Sequence, residues 1–345
     1  MIQSHKTTIV VVSHHQSGGG KPLDSLWFSK EECSKRNIEL TYLWTRKKSD
    51  FLRLILLSLR AEFVIFDGIY SLHWRYGNFF FNYASKFYKK IAIYWHETEH
   101  QAEKLASEPV FNKAISSPHI LHFHVCSYGL NMLHNKYHIS PSKTYLLTNI
   151  SNHTNLLSYK LPLRQEPFLF VACGNVSERK GTDLFLEIAQ RLVKKENSAH
   201  FTWIGKFGGG EYSEAVIYQE IEKRNLLNNV TFTGNLENPF SIVAKSHAFL
   251  LTSRDDPMPK VLMEALALGK PCVAFDVGGV AELLAGFGTV VSLEELDEFV
   301  ETLISIPYNL DFSAQAARRE FYMDRYSPAA FAARFAAAVE WWKSI

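Results

Sequence analysis

Two carboxylates, Asp256 and Glu264, stand with seven residues between them in the run Asp256 to Pro271, DPMPKVLMEALALGKP, across what the residues mark as a helix start. Pro259 suits the first helical position, where a missing N–H is no loss, and Gly269 with Pro271 suits the stop, so a helix is expected from about Pro259 to Leu268. The apolar run His247 to Ser253, HAFLLTS, has the composition of a strand. Asp256 is therefore expected where the carboxyl end of a strand meets the amino end of a helix, a place where open α/β sheets bind ligands. Unpaired backbone N–H groups and the positive helix end favour an anion there, while the flanking carboxylates accept hydrogen bonds from neutral hydroxyls. A ligand that joins a phosphate to a polyol, such as a nucleotide sugar, meets both demands.

A second anion site is expected in Phe168 to Asp183, FLFVACGNVSERKGTD, which reads as a strand, a glycine turn at Gly174 and Asn175, two adjacent cations and a helix capped by Thr182 or Asp183. Arg179 offers a planar fork and Lys180 a point charge to a diphosphate. Nearer the amino end, Ser17 to Gly20 follows a strand-like run and leads toward a helical stretch; only small residues let a backbone approach a ligand that closely. His96 closes the strand-like IAIYW and opens His96 to His100, HETEH, which also satisfies the HExxH pattern of zinc hydrolases. That pattern needs both imidazoles on one helix face, whereas here a β-rich run finishes at His96. His122 and His124 read as strand residues rather than ligands.

Positioning these groups requires two α/β halves. Candidate strands in the first are Thr7 to Val12, Phe63 to Phe66, Ile91 to Trp95, Leu121 to Cys126 and Thr144 to Leu147. In the second they are Phe168 to Cys173, His200 to Ile204, Val230 to Thr233, Ala248 to Leu251, Pro271 to Phe275 and Thr289 to Val291. Helical stretches between them imply parallel sheets with right-handed crossovers, two Rossmann-like domains. The segment Asn155 to Pro167, with two prolines, reads as the linker, giving domains 1–160 and 161–326. Ser327 to Ile345 reads as one amphipathic helix, expected to return to the first domain.

The 345 residues, 47% hydrophobic, suffice for two cores. The net charge of +2 hides an asymmetry: residues 1–165 carry 20 Lys and Arg against 11 Asp and Glu, a net of +9, which leaves −7 for the rest, and 12 of the 14 His lie in the basic half. An anionic partner is expected for that half, either a lipid-linked diphosphate or an anionic membrane touched peripherally. No zinc-finger or RNP-type motif points to nucleic acid. Cys33, Cys126, Cys173 and Cys272 are widely spaced, without a CxxC pair, which fits a reducing cytosol. The opening residues lack a signal-peptide pattern and no run approaches a membrane span, so a cytoplasmic location is expected, extending to the inner face of the cytoplasmic membrane. His73 to Lys90, HWRYGNFFFNYASKFYKK, interleaves aromatic and basic residues as an interfacial helix would.

The Asp256–Glu264 segment resembles the acidic signature of retaining glycosyltransferases of family four, glycosyl transferases group 1, whose usual form has Glu at both positions. Pro257 and Pro259 depart from the pattern and remove two amide donors. Lys180 and Gly181 match the family's Lys-Gly pair; its usual Arg after the first glycine is replaced by Asn175, and Arg179 is expected to supply that charge. Gly19 and Gly20 resemble the family's double-glycine loop, and His96 its active-site histidine. Smaller matches are Trp203 to Gly205, Val230 to Gly234, and Gly278, Gly279 with Glu282.

The resemblance implies a GT-B fold and retaining transfer from a nucleotide sugar to a glycan or polyprenyl-linked acceptor, in bacterial surface polysaccharide synthesis. It implies that Glu264 binds the ribose, Asp256 the sugar hydroxyls, Arg179 and Lys180 the diphosphate, and His96 the sugar or acceptor. Gly174, Asn175, Met258, Lys260 and Val261 complete the expected donor site. No metal or other cofactor is expected, because two cations and the helix ends can neutralise the leaving diphosphate. The alternatives are a nucleotide-sugar epimerase on the same scaffold and an HExxH zinc hydrolase.

Overall fold

The computed structural model describes residues 6–14, 24–61, 63–73, 76–151, 156, 167–195, 198–293, 295–306 and 311–345. The chain divides into two compact units, Met1–Asn152 with Arg325–Ile345, and His153–Asp324. Most of the expected linker, including Lys160, lies outside the described residues, as do Gly19 and Gly20.

The first unit holds a parallel sheet of β1 (Thr7–Ser13), β2 (Ile38–Trp44), β3 (Phe63–Asp67), β4 (Lys90–Trp95), β5 (Ile120–His124) and β6 (Thr144–Leu146), in the order β2-β1-β3-β4-β5-β6. Five of these strands match the runs read from sequence. β2 was not expected. It is an edge strand whose outward residues include exposed Glu39 and half-buried Thr41, so it lacks the continuous apolar run of the strands buried on both faces. β1, β3 and β4 bury Val10, Val12, Val64, Phe66, Ile91 and Ile93, and helix Gly77–Phe87 packs Phe80, Phe81 and Ala84 into the same core. The expected interfacial helix is thus half core, while Phe79 and Phe87 on its other side stay exposed.

The carboxy-terminal helix, Pro328–Ser344, is part of this unit. The Ser327 hydroxyl accepts from the Ala330 N–H and Pro328 stands in the first turn, a well-formed start. Trp342 lies edge-on to Phe63 (4.7 Å) and Phe123 (5.7 Å), and Lys90 Nζ donates to the Trp342 carbonyl (2.8 Å), satisfying one of the helix's last free acceptors.

The second unit holds β7 (Phe168–Cys173), β8 (Ala199–Ile204), β9 (Val230–Phe232), β10 (Ala248–Leu251), β11 (Cys272–Phe275) and β12 (Thr289–Val291), all parallel, in the order β12-β11-β10-β7-β8-β9. Helix Thr182–Lys195 buries Phe185, Ile188, Ala189 and Leu192 on this sheet, with Phe185 edge-on to Phe201 (5.7 Å) and Trp203 (5.1 Å). The strand order reverses at β7, where the chain, having built outward through β8 and β9, returns to place β10 on the other side. Such a reversal opens a crevice at the strands' carboxyl ends. Among the described residues no helix is long and apolar enough to cross a membrane.

Candidate active site

The loops leaving β7 and β10, neighbours in the sheet, run side by side at that reversal point. Thr252 Oγ1 donates to the Lys180 carbonyl (3.1 Å), Arg254 N–H to the Arg179 carbonyl (2.9 Å), and Arg179 Nη1 to the Asp255 carbonyl (2.7 Å). Arg254 grips both carboxylate oxygens of Asp183 (2.6 and 2.5 Å) and the Glu178 carbonyl (2.9 Å), a fork geometry that fixes orientation as well as distance. Gly181 permits this closeness. Its φ is +67°, and a Cβ there would lie 1.8 Å from the Thr252 carbonyl oxygen. Helix Thr182–Lys195 begins at Thr182 itself, whose hydroxyl accepts from the Ser177 N–H (3.0 Å), while Asp183 in its first turn holds Arg254. Burial works against the Asp183 carboxylate, but the hydrogen bonds and charge of Arg254 hold it below its usual range.

Within this frame Lys180 Nζ forms an ion pair with Asp256 Oδ2, joining the two expected anion-binding segments. The Lys180 stem crosses the glycine turn, since a Cβ at Gly174 would meet it at 3.5 Å, and the Gly174 carbonyl is fixed by Trp203 Nε1 (2.8 Å). Asn175 and Arg179 are exposed. On the far side, Gly278 has φ +55° and stands so close that a Cβ would fall 2.1 Å from the Asp256 carbonyl, while Gly279 N–H donates to the Pro257 carbonyl (2.9 Å).

The helix after β10 runs Lys260–Ala267, with Pro259 as its cap rather than its first residue, and Met258 is buried just before it. Lys260 and Val261 lie half-buried in the first turn and Glu264 one turn further on. It stops as Gly269 and Lys270 donate to the Leu266 and Ala265 carbonyls, with Gly269 at φ +73°. Glu264 and Val261 line a narrow recess with Cys173, Phe240 and Phe249. Burial, with Glu264 beside it, pushes the Cys173 thiol up to about 12, so it stays a neutral wall of the recess rather than a nucleophile. The site thus combines paired opposite charges, an exposed guanidinium and two helix starts at one sheet edge, an arrangement able to hold a phosphate beside a hydroxyl-bearing group.

In the first unit His96 follows β4, and its Nε2 lies 3.0 Å from Oδ1 of Asp67, the last residue of β3. Asp67 is fully buried, and its Oδ2 has no hydrogen-bond partner among the described residues. The Tyr94 ring packs 4.2 Å from the imidazole. Glu97 turns back to accept from the His96 N–H (2.9 Å), and burial raises its carboxyl above the ordinary range. The following helix is only Glu99–Glu103, started by Thr98 in a capping box with Gln101. His96 and Glu97 therefore precede the helix and only His100 is on it, so the paired-imidazole geometry of the HExxH alternative does not form. His122 and His124 are buried strand residues of β5, with both imidazoles pushed down to about 3 by burial; Trp95 Nε1 donates to His122 Nδ1 (3.0 Å). All four cysteines are thiols. Among the described residues no group of three or more His, Cys, Asp and Glu could hold a metal ion.

Two reversed-order parallel sheets, each with its polar residues gathered beyond the strand ends, define the GT-B class. The structure of Anabaena HepE in complex with UDP matches with a TM-score of 0.73 over 97% of this chain and 100% of that one, at 14% identity, a likeness of fold. Residues 167–307, within the second unit, match the family described as glycosyl transferases group 1. Over 221 residues the chain is 26% identical to an uncharacterized glycosyltransferase of Methanocaldococcus jannaschii, 63% of this chain and 51% of that protein. Over 157 residues it is 24% identical to the UDP-Gal:alpha-D-GlcNAc-diphosphoundecaprenol alpha-1,3-galactosyltransferase of Escherichia coli, 45% of this chain and 40% of that protein. The chain spans about half or less of these relatives' length.

Proposed function

We propose that this protein is a retaining glycosyltransferase that moves a sugar from a nucleotide-sugar donor to a glycan or lipid-linked glycan acceptor in bacterial surface polysaccharide synthesis. The observation that carries the reading is the Lys180–Asp256 pair, set at the reversal point of a Rossmann sheet between two helix starts. The group 1 match and the named activity of the Escherichia coli relative support the reaction class, and the UDP bound to a protein of the same fold supports a uridine nucleotide.

In this reading the donor diphosphate draws Lys180 from Asp256, which frees the carboxylate to accept from the sugar hydroxyls. Arg179 supplies the second positive charge and Glu264 accepts from the ribose. Gly174 and Asn175 bring backbone close to the phosphates, with Met258, Lys260 and Val261 beneath the nucleoside. Preorganised cations matter most as charge grows on the leaving phosphate, so their contribution falls on turnover. No bound metal is required, and His96, steadied by Asp67, serves the sugar or acceptor. The enzyme acts in the cytoplasm at the inner face of the membrane.

Thermal-shift screening against nucleotides and nucleotide sugars tests this. A donor present at 100 times its dissociation constant stabilises by about 2.7 kcal/mol, and product analysis then separates transfer from epimerisation, which needs no acceptor. No stabilisation by any nucleotide diphosphate, or products formed without an acceptor, would sink the reading.

A further inference from the structure

One turn of the first unit gathers hydrogen-bond donors that the fold leaves unused. β6 ends at Leu146, and the residues after it, Leu147 to Ile150, meet helix Asp24–Phe28 and the carboxy-terminal helix. Asn149 in this turn is 5% exposed. Its Oδ1 accepts from the Ser25 hydroxyl (3.0 Å) and from the Tyr94 hydroxyl (3.2 Å), which also donates to the Leu147 carbonyl (2.7 Å). Ser25 Oγ is itself the acceptor for the Ile150 N–H (3.1 Å), so its proton is committed to Asn149. That fixes the amide with its oxygen toward Ser25 and its NH2 turned away. The NH2 has no hydrogen-bond partner among the described residues.

Arg334, in the second turn of helix Pro328–Ser344, reaches the same stretch of chain. Its one hydrogen bond among the described residues runs from Nη2 to the Thr148 carbonyl, at a long 3.4 Å, and its Nε is buried without a partner. Among the described residues no carboxylate stands within ion-pair distance of it. Burial pushes the guanidinium below the usual arginine range, against the opposing influence of Tyr94 and Tyr326. A half-buried cation with five donors and a single long contact calls for an anion, because a desolvated charge without a partner is costly.

The open groups of the turn are donors alone, and the Tyr94 ring, 4.2 Å from the His96 imidazole, sets them beside that residue. A sugar hydroxyl would leave the guanidinium charge unbalanced. A carboxylate is spent on the guanidinium fork, whereas a tetrahedral phosphoryl group keeps a further oxygen for the Asn149 amide. We propose that Arg334 and Asn149 form a binding site for a phosphoryl group in the first unit, distinct from the Lys180 site of the second. The proposal stands on these residues and does not depend on the transfer reading.

The test is calorimetric titration of the whole protein with inorganic pyrophosphate, with and without saturating UDP. One pyrophosphate per chain is expected to bind when UDP is saturating. Arg334→Met and Asn149→Asp should each weaken that binding at least about tenfold, and Arg334→Lys, which keeps the charge but not the fork, by less. Asn149→Asp keeps the oxygen to which Ser25 and Tyr94 donate, and Arg334→Met removes an unpaired charge, so both should melt close to wild type; if one unfolds, the other decides. Farnesyl diphosphate separates the sources of the phosphoryl group: tighter binding than pyrophosphate, with the same dependence on Arg334, assigns it to a lipid-linked ligand, and equal binding to a free phosphate. Pyrophosphate binding that is lost at saturating UDP, unchanged in both folded variants, or matched by acetate overturns the proposal, as does no binding at all. A failure of UDP to bind contradicts the transfer reading alone, because the titration without UDP still reads Arg334 and Asn149.

Discussion

Lys180→Met separates a structural from a chemical role for the central ion pair. The Lys180 carbonyl is held by Thr252 and its stem by the Gly174 turn, so the backbone stays put when the charge goes. What changes is that Asp256, whose side chain is 9% exposed, loses its cation; the Lys180 side chain is 16% exposed. A pair between surface and interior places the stability loss at about 1–2 kcal/mol, below the value for a fully buried pair and above that for a solvated one. In a unit of this size that is a fall in Tm of about 2–8 °C. Turnover should fall much further, by about 10²–10³-fold, the usual effect of removing a preorganised charge from a developing anion. The assay is release of the nucleoside diphosphate under saturating donor, beside thermal melts of the same preparations. Adding Asp256→Asn should restore the melting temperature, since the uncompensated charge is gone, without restoring kcat. Turnover within about threefold of wild type, or its recovery in the double variant, would show that Lys180 only holds the loops together.

Four further outcomes follow from the geometry. Gly181→Ala forces a Cβ into the Thr252 carbonyl at a φ of +67°; it should destabilise the second unit by about 3 kcal/mol or more, measured by denaturant unfolding. Arg254→Ala unties the two loops and should weaken UDP binding by about 5–30-fold in calorimetry while leaving the protein folded. Asp67→Asn keeps the size of the side chain but withdraws the charge that orients His96, so kcat should fall by about tenfold with UDP affinity unchanged. Lys270, buried with its Nζ on the Ala244 and Ser246 carbonyls, is pushed down to about 7 by burial, with the Arg319 charge adding to the shift. Its folded pKa lies below the unfolded value of about 10.4, so the unfolded chain holds the extra proton in that interval and the Lys270 contribution grows as pH rises. The stability difference between wild type and Lys270→Met should therefore shift toward wild type between pH 7 and about 10 in paired melts.

The inner strands of the second unit were readable from sequence because a sheet covered on both faces leaves uninterrupted apolar runs, and β7 and β10 match residue for residue. β2 escaped because exposed Glu39 and half-buried Thr41 break its apolar run. Within the site, Lys180 and Asp256 stand out by type and local setting. Arg254 does not, since its partner Asp183 is 71 residues away and only the folded sheet brings the two together. Asp67 left a faint signal, an acid closing the apolar run FVIFD, whose meaning appears only with β4 beside it. The packing of Gly278 on the Asp256 backbone had no local signal beyond the glycine pair. On the helix Gly77–Phe87 the interleaved pattern held two meanings at once, core on one face and exposed aromatics on the other.

The central claim, that the loops after β7 and β10 clasp a nucleoside diphosphate with protein charges alone, is tested most directly by calorimetric titration of UDP in the presence of a metal chelator. Binding at one site per chain is expected, unaffected by the chelator and weakened at least about tenfold by Lys180→Met and by Glu264→Ala. Absence of binding, binding that requires a divalent ion, or binding that neither substitution alters would contradict it.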